Sequence, residues 1–194
     1  MSSSTSEKAA SAKRTLLLLA LVCVIPVVAS YLAFYVWRPA NTTNYGDLLP
    51  VTSLSAVTLK EADGRPFELS QLRGKWVLAM IDSGACNDRC REKLTYMRQL
   101  RLTQGKDMDR IERVWLILDS VRPVSGFIPQ FEGTRELFAA QSDVVAKFPA
   151  ATTPIDHIYI IDPLGNLFMR FPRDPDTKGM VKDLTRLLRV SRVG

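Results

Sequence analysis

The sequence is poor in residues that bind metals or form cross-links, with three cysteines and one histidine in 194 residues. Three cysteines are too few for a small secreted domain that depends on a disulfide framework. A closed structural zinc site needs four ligands, and the sequence offers only three good candidates. Gly-x-Ser-x-Gly elbows and glycine-rich phosphate loops are absent too, which argues against hydrolase chemistry.

Concentrated charge is also missing. Lysine and arginine total 26 against 20 acidic residues, which gives a net charge of +6, and the basic residues are scattered along the chain. A nucleic-acid interface would need a basic stripe with interleaved aromatic residues, so we predict no nucleic-acid partner. The positive excess is better suited to the surface of an anionic membrane.

One segment has no charge at all. No charged residue occurs from Thr15 to Trp37, and Leu16–Ile25 is entirely apolar apart from its cysteine. About 20 apolar residues cross a bilayer as a helix, so we predict a transmembrane helix over residues 15–37. Basic residues in the preceding tail, residues 1–14, predict a cytoplasmic N-terminus and an exported domain on the periplasmic side of the inner membrane. The alternative is a signal peptide cleaved near Val27-Val28-Ala29.

The rest of the chain predicts a tether over residues 38–54 and one domain over residues 55–194. Its strands and helices alternate in the order of an α/β sheet covered on both faces. Strands are predicted at Ala56–Lys60, Trp76–Ile81 and Val114–Leu118, with a hairpin turn at Asp63-Gly64 after the first of them. A second hairpin is predicted over Ile158–Phe171, with its turn at Asp162–Gly165. The predicted helices are one from the cysteines to Gly105, one over Thr134–Phe148 with a break near Gln141, and a final amphipathic one that contains Leu184 and Leu188. A long loop follows Asp119.

Cys86 and Cys90 lie where the apolar strand turns into a helix. If the helix begins near Cys86, its 3.6-residue period places both sulfur atoms on one face at the N-terminal end. Unpaired amides and the helix dipole favour thiolates there, and Arg89, Arg91 and Lys93 act in the same direction. Such a pair either exchanges electrons as a disulfide or binds a soft metal ion. The alternative is that the two cysteines only pack in the core.

The order of elements, with cysteines after the first buried strand, resembles a thioredoxin fold preceded by one transmembrane helix. The motifs resemble more closely those of the Sco/SenC family, membrane-anchored thioredoxin-like proteins that bind copper and help assemble cytochrome c oxidase. The matching segments are Gly74–Leu78, Cys86 with Cys90, Leu118–Pro123, Asp156-His157 and Asp162–Gly165. Asn87 departs from the family pattern, which has proline at that position.

The resemblance implies that Cys86 and Cys90 bind Cu(I) and can also form a disulfide, with His157 as a third ligand. It implies a respiratory oxidase subunit, or another thiol or copper carrier, as the partner. The position of His157 also suits a structural histidine that opens a strand and bonds to the backbone. Pro154, which lies closer to the family's ligand position, could instead be a thioredoxin-like proline that faces the cysteines, in cis form. The alternative functions are a metal-free thiol–disulfide oxidoreductase and a non-catalytic assembly module.

Overall fold

A computed structural model of the chain describes residues 4–36, 44–123, 132–140 and 142–191. The helices within these residues are α1 (Ser4–Val36), α2 (Asp88–Thr103) and α3 (Thr177–Val190). The strands are β1 (Asp47–Ser53), β2 (Thr58–Glu61), β3 (Pro66–Glu68), β4 (Trp76–Asp82), β5 (Ile111–Ile117), β6 (Thr134–Phe138), β7 (Ile158–Ile161) and β8 (Asn166–Arg170). The chain divides into two units, residues 1–43 and 44–194.

The first unit contains α1, which extends from the predicted membrane segment back through the predicted tail to Ser4. Its segment Lys13–Tyr35 is long and apolar enough to cross a membrane, as the sequence indicates.

The second unit is built on one sheet with the strand order β1-β8-β7-β4-β5-β6-β2-β3. Strands β4, β5 and β6 are parallel, and β7 lies antiparallel to β4 on its other side. The two predicted hairpins are confirmed, since β2 pairs with β3 and β7 pairs with β8 in antiparallel register. The sheet therefore places the carboxyl end of β4, and the cysteines that follow it, at its centre.

Strand β4 separates the two halves of the hydrophobic core, and all seven of its residues are buried. Leu78 and Met80 pack on one face with residues of α2 and α3, while Val77, Ala79 and Ile81 pack on the other. Such a strand must be apolar on both faces, which explains its continuous hydrophobic run. The predicted α/β sheet with helices packed against it is confirmed.

The helix predicted over Thr134–Phe148 is wrong. Thr134–Phe138 forms β6, which pairs in parallel with β5, and Asp143–Lys147 forms a short 3-10 helix. The segment Arg-Glu-Leu inside β6 has good helix propensity, but backbone pairing with a buried strand outweighs that local preference. Gln141, where a break was predicted, lies outside the described residues, as does part of the loop predicted after Asp119.

The predicted tether is also wrong from Asp47 onward, because β1 forms one edge of the sheet against β8. Two contacts hold the start of this segment on α3. The Gly46 amide donates to the buried Asp183 carboxylate at 2.8 Å, and the Asp176 amide donates to the Tyr45 hydroxyl at 2.6 Å. The domain therefore begins near residue 44 rather than 55.

Candidate functional site

The structure brings Cys86 and Cys90 together as a disulfide, with their Cα atoms 5.1 Å apart. Cys86 lies in the loop after β4, and Cys90 lies in the first turn of α2. Residues four apart within one helix would have Cα atoms about 6 Å apart. The shorter separation follows from the position of Cys86, which is outside the helix.

The loop differs from the predicted one because α2 begins at Asp88 instead of near Cys86. Asn87 caps the helix, and its side-chain oxygen accepts a hydrogen bond from the Cys90 amide at 3.0 Å. Cys86 has a φ of +43°, in the left-handed region, where a residue with a side chain costs about 1–2 kcal/mol. The Cys86 amide donates to the Ser83 carbonyl at 3.1 Å, which closes the turn before the cap. We call Ser83–Asn87 the cysteine loop.

The disulfide is buried. Cys86 is 4% exposed, Cys90 is fully buried, and both belong to the apolar cluster on the helical face that also contains Phe171 and Ile158. A reductant, a thiol or a metal ion can therefore reach the sulfur atoms of this oxidised form only if a neighbouring segment moves.

Asp119 holds the cysteine loop from the side of β5. Its carboxylate accepts hydrogen bonds from the Ser83 hydroxyl at 2.5 Å, from the Gly84 amide at 3.0 Å and from the Val121 amide at 3.1 Å. The hydrogen bond from Ser83 is the main cause that lowers the pKa of Asp119. A Cβ atom on Gly84 would lie 1.8 Å from the Val121 carbonyl oxygen, so only glycine permits this approach.

A buried ion pair lies on the other side of the loop. The Lys93 ammonium group is 2.8 Å from the Asp82 carboxylate, and both side chains are 7% exposed. Lys93 also donates to the Ile81 carbonyl at 3.0 Å and to the Ile155 carbonyl. All three ammonium donors are thus used, and they join β4, α2 and the segment before β7. Burial lowers the pKa of Lys93, and the Asp82 carboxylate opposes that shift.

Sequence reasoning missed this pair as a unit. Asp82 ends an otherwise apolar strand, and Lys93 lies three residues after Cys90, which places it near the inward face of α2. Because buried charges require partners, a charged residue at each of these two inward-facing positions could have predicted that Asp82 and Lys93 pair.

The three cations predicted to favour thiolates all have carboxylate partners. Arg89 is 2.8 Å from Asp174, Arg91 is 3.1 Å from Asp88, and Lys93 is paired with Asp82. Pairing weakens the effect of these cations on the sulfur atoms, while the N-terminus of α2 still favours a thiolate.

The structure does not bring His157 together with the cysteines as metal ligands. His157 is 8% exposed and immediately precedes β7, and its Nδ1 lies 2.8 Å from the Phe171 carbonyl oxygen. Among the residues described, no three histidine, cysteine, aspartate or glutamate side chains form a group that could hold a metal ion. His157 instead has the structural position that the sequence also allowed.

Pro154 starts a short 3-10 helix, Pro154–Asp156, capped by the Thr153 side chain. The peptide bonds of the described residues are all trans, so the cis form considered for Pro154 is wrong. The segment is fixed instead through the Ile155 carbonyl, which accepts from Lys93.

Comparisons with solved structures agree with this fold. The copper-bound structure of ScoI from Bradyrhizobium japonicum has a TM-score of 0.53 at 19% identity and covers 70% of this chain and 99% of its own. BsSco, a member of the Sco family of cytochrome c oxidase assembly proteins in which a disulfide switch was identified, has a TM-score of 0.57 at 13% identity, with coverages of 77% and 100%. MTB dsbF, solved in mixed oxidised and reduced forms, has a TM-score of 0.53 at 20% identity, with coverages of 71% and 99%.

The structural similarity to these proteins, with TM-scores of 0.53–0.57, establishes the fold. The predicted thioredoxin-like architecture and the resemblance to the Sco fold are therefore confirmed. Among curated protein sequences, none matches the chain. The sequence model of one family, the transmembrane-like, thioredoxin-like, C-terminal domain, matches residues 76–191, which include the cysteine loop, α2 and α3. Since this match spans more than half of the chain, the protein belongs to the family of transmembrane-like, thioredoxin-like C-terminal domains.

Proposed function

We propose that this protein is a membrane-anchored, Sco-like factor that binds Cu(I) through Cys86 and Cys90 and delivers it during assembly of a respiratory cytochrome c oxidase. The observation that supports the proposal is the convergence of two cysteines at the carboxyl end of the central strand, close enough to form a disulfide. In open α/β sheets, ligand sites form at this edge.

The donor set fits Cu(I) as a cargo ion. Cu(I) is soft and prefers thiolates, and two converging sulfur atoms can bind it in a two-coordinate manner. His157 is not included in the proposed site, because no three-ligand group is assembled within the described residues.

Disulfide and metal chemistry exclude each other at the same two atoms. Reduction breaks the sulfur–sulfur bond and takes up two electrons and two protons, which yields two thiols. Binding of one Cu(I) then releases the two thiol protons, since the metal binds thiolates. A partner that oxidises or reduces the pair therefore also controls whether the metal is held.

The basic residues before the uncharged segment of α1, Lys8, Lys13 and Arg14, support a topology in which the N-terminus is cytoplasmic and the domain lies on the outer side of the inner membrane. That compartment suits a disulfide, because cytosolic thiols are kept reduced. The partner is then an exported oxidase subunit, or another thiol or copper carrier on that side.

The test is a Cu(I) titration of the reduced full chain in detergent, against a competing chelator under anaerobic conditions. We expect one tightly bound Cu(I) per chain, lost in a Cys86→Ser, Cys90→Ser double variant. Cys23→Ser is the matched control, because Cys23 is the free cysteine and lies on α1. Equal copper binding by the double variant and the control would refute the proposed site.

The second candidate function is a metal-free thiol–disulfide oxidoreductase. The formed disulfide and the lack of a three-ligand group in the described part of the chain favour it. Reduction of a protein disulfide by the copper-free reduced chain, without tight retention of Cu(I), would support this function over metal delivery.

A further inference from the structure

A cleft of about 460 Å³ opens at the same edge of the sheet as the cysteine loop. The turn between β2 and β3, the segment that follows β5 and the end of β6 form its walls. Its volume lies within the range of about 300–1,000 Å³ that is usual for ligand sites. The chemistry proposed for the two cysteines makes no use of it.

The cleft and the cysteine loop share one structural element. Asp119 lines the cleft, and its carboxylate also binds the Ser83 hydroxyl and the Gly84 amide. Gly84 also packs so closely against the Val121 carbonyl that a Cβ atom would not fit between them, so the cysteine loop and the segment after β5 are in direct contact. A ligand in the cleft would therefore contact the segment after β5, which also holds the cysteine loop in place.

The acidic residues of the cleft already have partners. Glu61 is 2.7 Å from the Arg135 guanidinium, and Asp63 is 2.5 Å from that of Arg65. Asp119 is satisfied by the cysteine loop and the Val121 amide. These carboxylates are thus not free to bind a cation.

Two basic residues of the cleft, unlike its acidic residues, have no polar partner among the described residues. Lys60 and Arg122 are exposed, and within the described residues neither side chain makes an ion pair or a hydrogen bond. The half-buried Phe138 and the exposed Pro66 supply apolar surface beside them. Of the charges in the cleft that have no ion-pair partner within the described residues, Lys60 and Arg122 outnumber Asp119, so the balance is one positive charge. This positive charge lies next to apolar groups, which suits a partner that carries a carboxylate beside an apolar side chain.

We propose that this cleft binds an acidic segment of the partner protein that exchanges metal or electrons with the cysteine pair. The inference rests on the proposed function, which requires a protein partner to approach the cysteine loop. The carboxylates pair with Lys60 and Arg122, and a neighbouring apolar side chain contacts Phe138. Binding there holds the partner beside the loop without using either sulfur atom.

The test is calorimetric titration of the full chain in detergent with three probes. They are a capped Glu-Phe-Glu peptide, the matched Gln-Phe-Gln peptide and free glutarate. We expect the acidic peptide to bind at least about tenfold more tightly than the other two, with an affinity that falls as salt rises. A Lys60→Gln, Arg122→Gln double variant should lose about tenfold in affinity. A Lys178→Gln, Lys182→Gln variant, altered at two exposed lysines of α3 outside the cleft, should lose none.

Equal binding of the two peptides, or equal losses in both double variants, would overturn the proposal. Glutarate binding as tight as that of the acidic peptide would also overturn it, because it would indicate a site for small carboxylates rather than for a partner. The Cu(I) titration of the cleft variant is independent, since it reports on the cysteines alone. Failure of the copper proposal is thereby distinguishable from failure of the cleft proposal.

Discussion

Replacement of Lys93 by methionine tests whether the buried ion pair fixes the site. Methionine keeps much of the apolar stem of lysine but removes the ammonium group, which bonds Asp82, Ile81 and Ile155. The Asp82 carboxylate, 7% exposed, would keep only the hydrogen bond from the Ser83 amide at 2.9 Å. Removing one partner of a buried pair costs about 3–5 kcal/mol, which is a large part of the usual stability of a domain.

The double variant Asp82→Asn, Lys93→Met separates charge from packing. It leaves no buried charge unpaired, and asparagine can still accept from the Ser83 amide. We expect it to lose only about 1–2 kcal/mol, from the missing hydrogen bonds, and therefore to be more stable than Lys93→Met alone. Adding Asp82→Asn to Lys93→Met should therefore recover about 2–3 kcal/mol of stability.

Denaturant unfolding of the full chain in detergent measures both losses through the fluorescence of the buried Trp76 and Trp115. Lys178→Met, at an exposed position of α3, is the matched control and should change stability by less than about 0.5 kcal/mol. A loss below about 1 kcal/mol for Lys93→Met, or a double variant less stable than the single one, would refute the reasoning.

Two further predictions concern the neighbours of the site. The pKa of Asp119 is lowered, mainly by the Ser83 hydroxyl, from its ordinary value of 3.8, so its contribution to stability is present above that value and is lost as the pH falls through the lower folded pKa. Asp119→Asn should therefore destabilise the chain at neutral pH and reduce the slope of stability against pH below the ordinary aspartate pKa of 3.8, and an unchanged slope would contradict this. His157→Ala should cost about 1–3 kcal/mol in the free energy of unfolding, because it removes the partner of the Phe171 carbonyl, while the affinity for Cu(I) stays the same. A drop in Cu(I) affinity with the fold intact would contradict this and would indicate that His157 is a ligand of the metal.

The elements that the sequence predicts well are those with strong local patterns. Strand β4 is a continuous apolar run, and the hairpin of β7 and β8 has its turn at Asp162–Gly165, where the Leu164 and Asn166 amides bond the Asp162 side chain at 2.9 and 2.8 Å. Helix α3 has apolar residues at helical spacing, and Leu184 and Leu188 are buried as predicted. In these cases the local sequence pattern is sufficient to predict the element.

The elements that the sequence does not predict depend on distant contacts. Strand β1 pairs with β8, more than a hundred residues away, and most of its residues are exposed, so it has no clear apolar pattern. Strand β6 is stabilised by pairing with β5 on one side and β2 on the other. The site follows the same rule, since the spacing of the cysteines predicts their convergence, whereas Lys93 and Ile155 meet only through the fold.

The contacts around the cysteine loop also decide which side opens when the disulfide reacts. On one side, Lys93 and Asp82 form a buried pair whose rupture costs several kcal/mol. On the other, α2 is held to the segment after β8 by Arg89, which bonds the Arg173 carbonyl at 2.9 Å and an Asp174 carboxylate that is 81% exposed, and which lies 3.8 Å from the less exposed Asp156. Exposed pairs contribute about 0–1 kcal/mol, so we expect local opening to separate α2 from residues 173–174 first. Amide hydrogen exchange should therefore be faster at residues 173–174 than in the segment fixed by Lys93, and the reverse order would show that the buried pair is the part that yields.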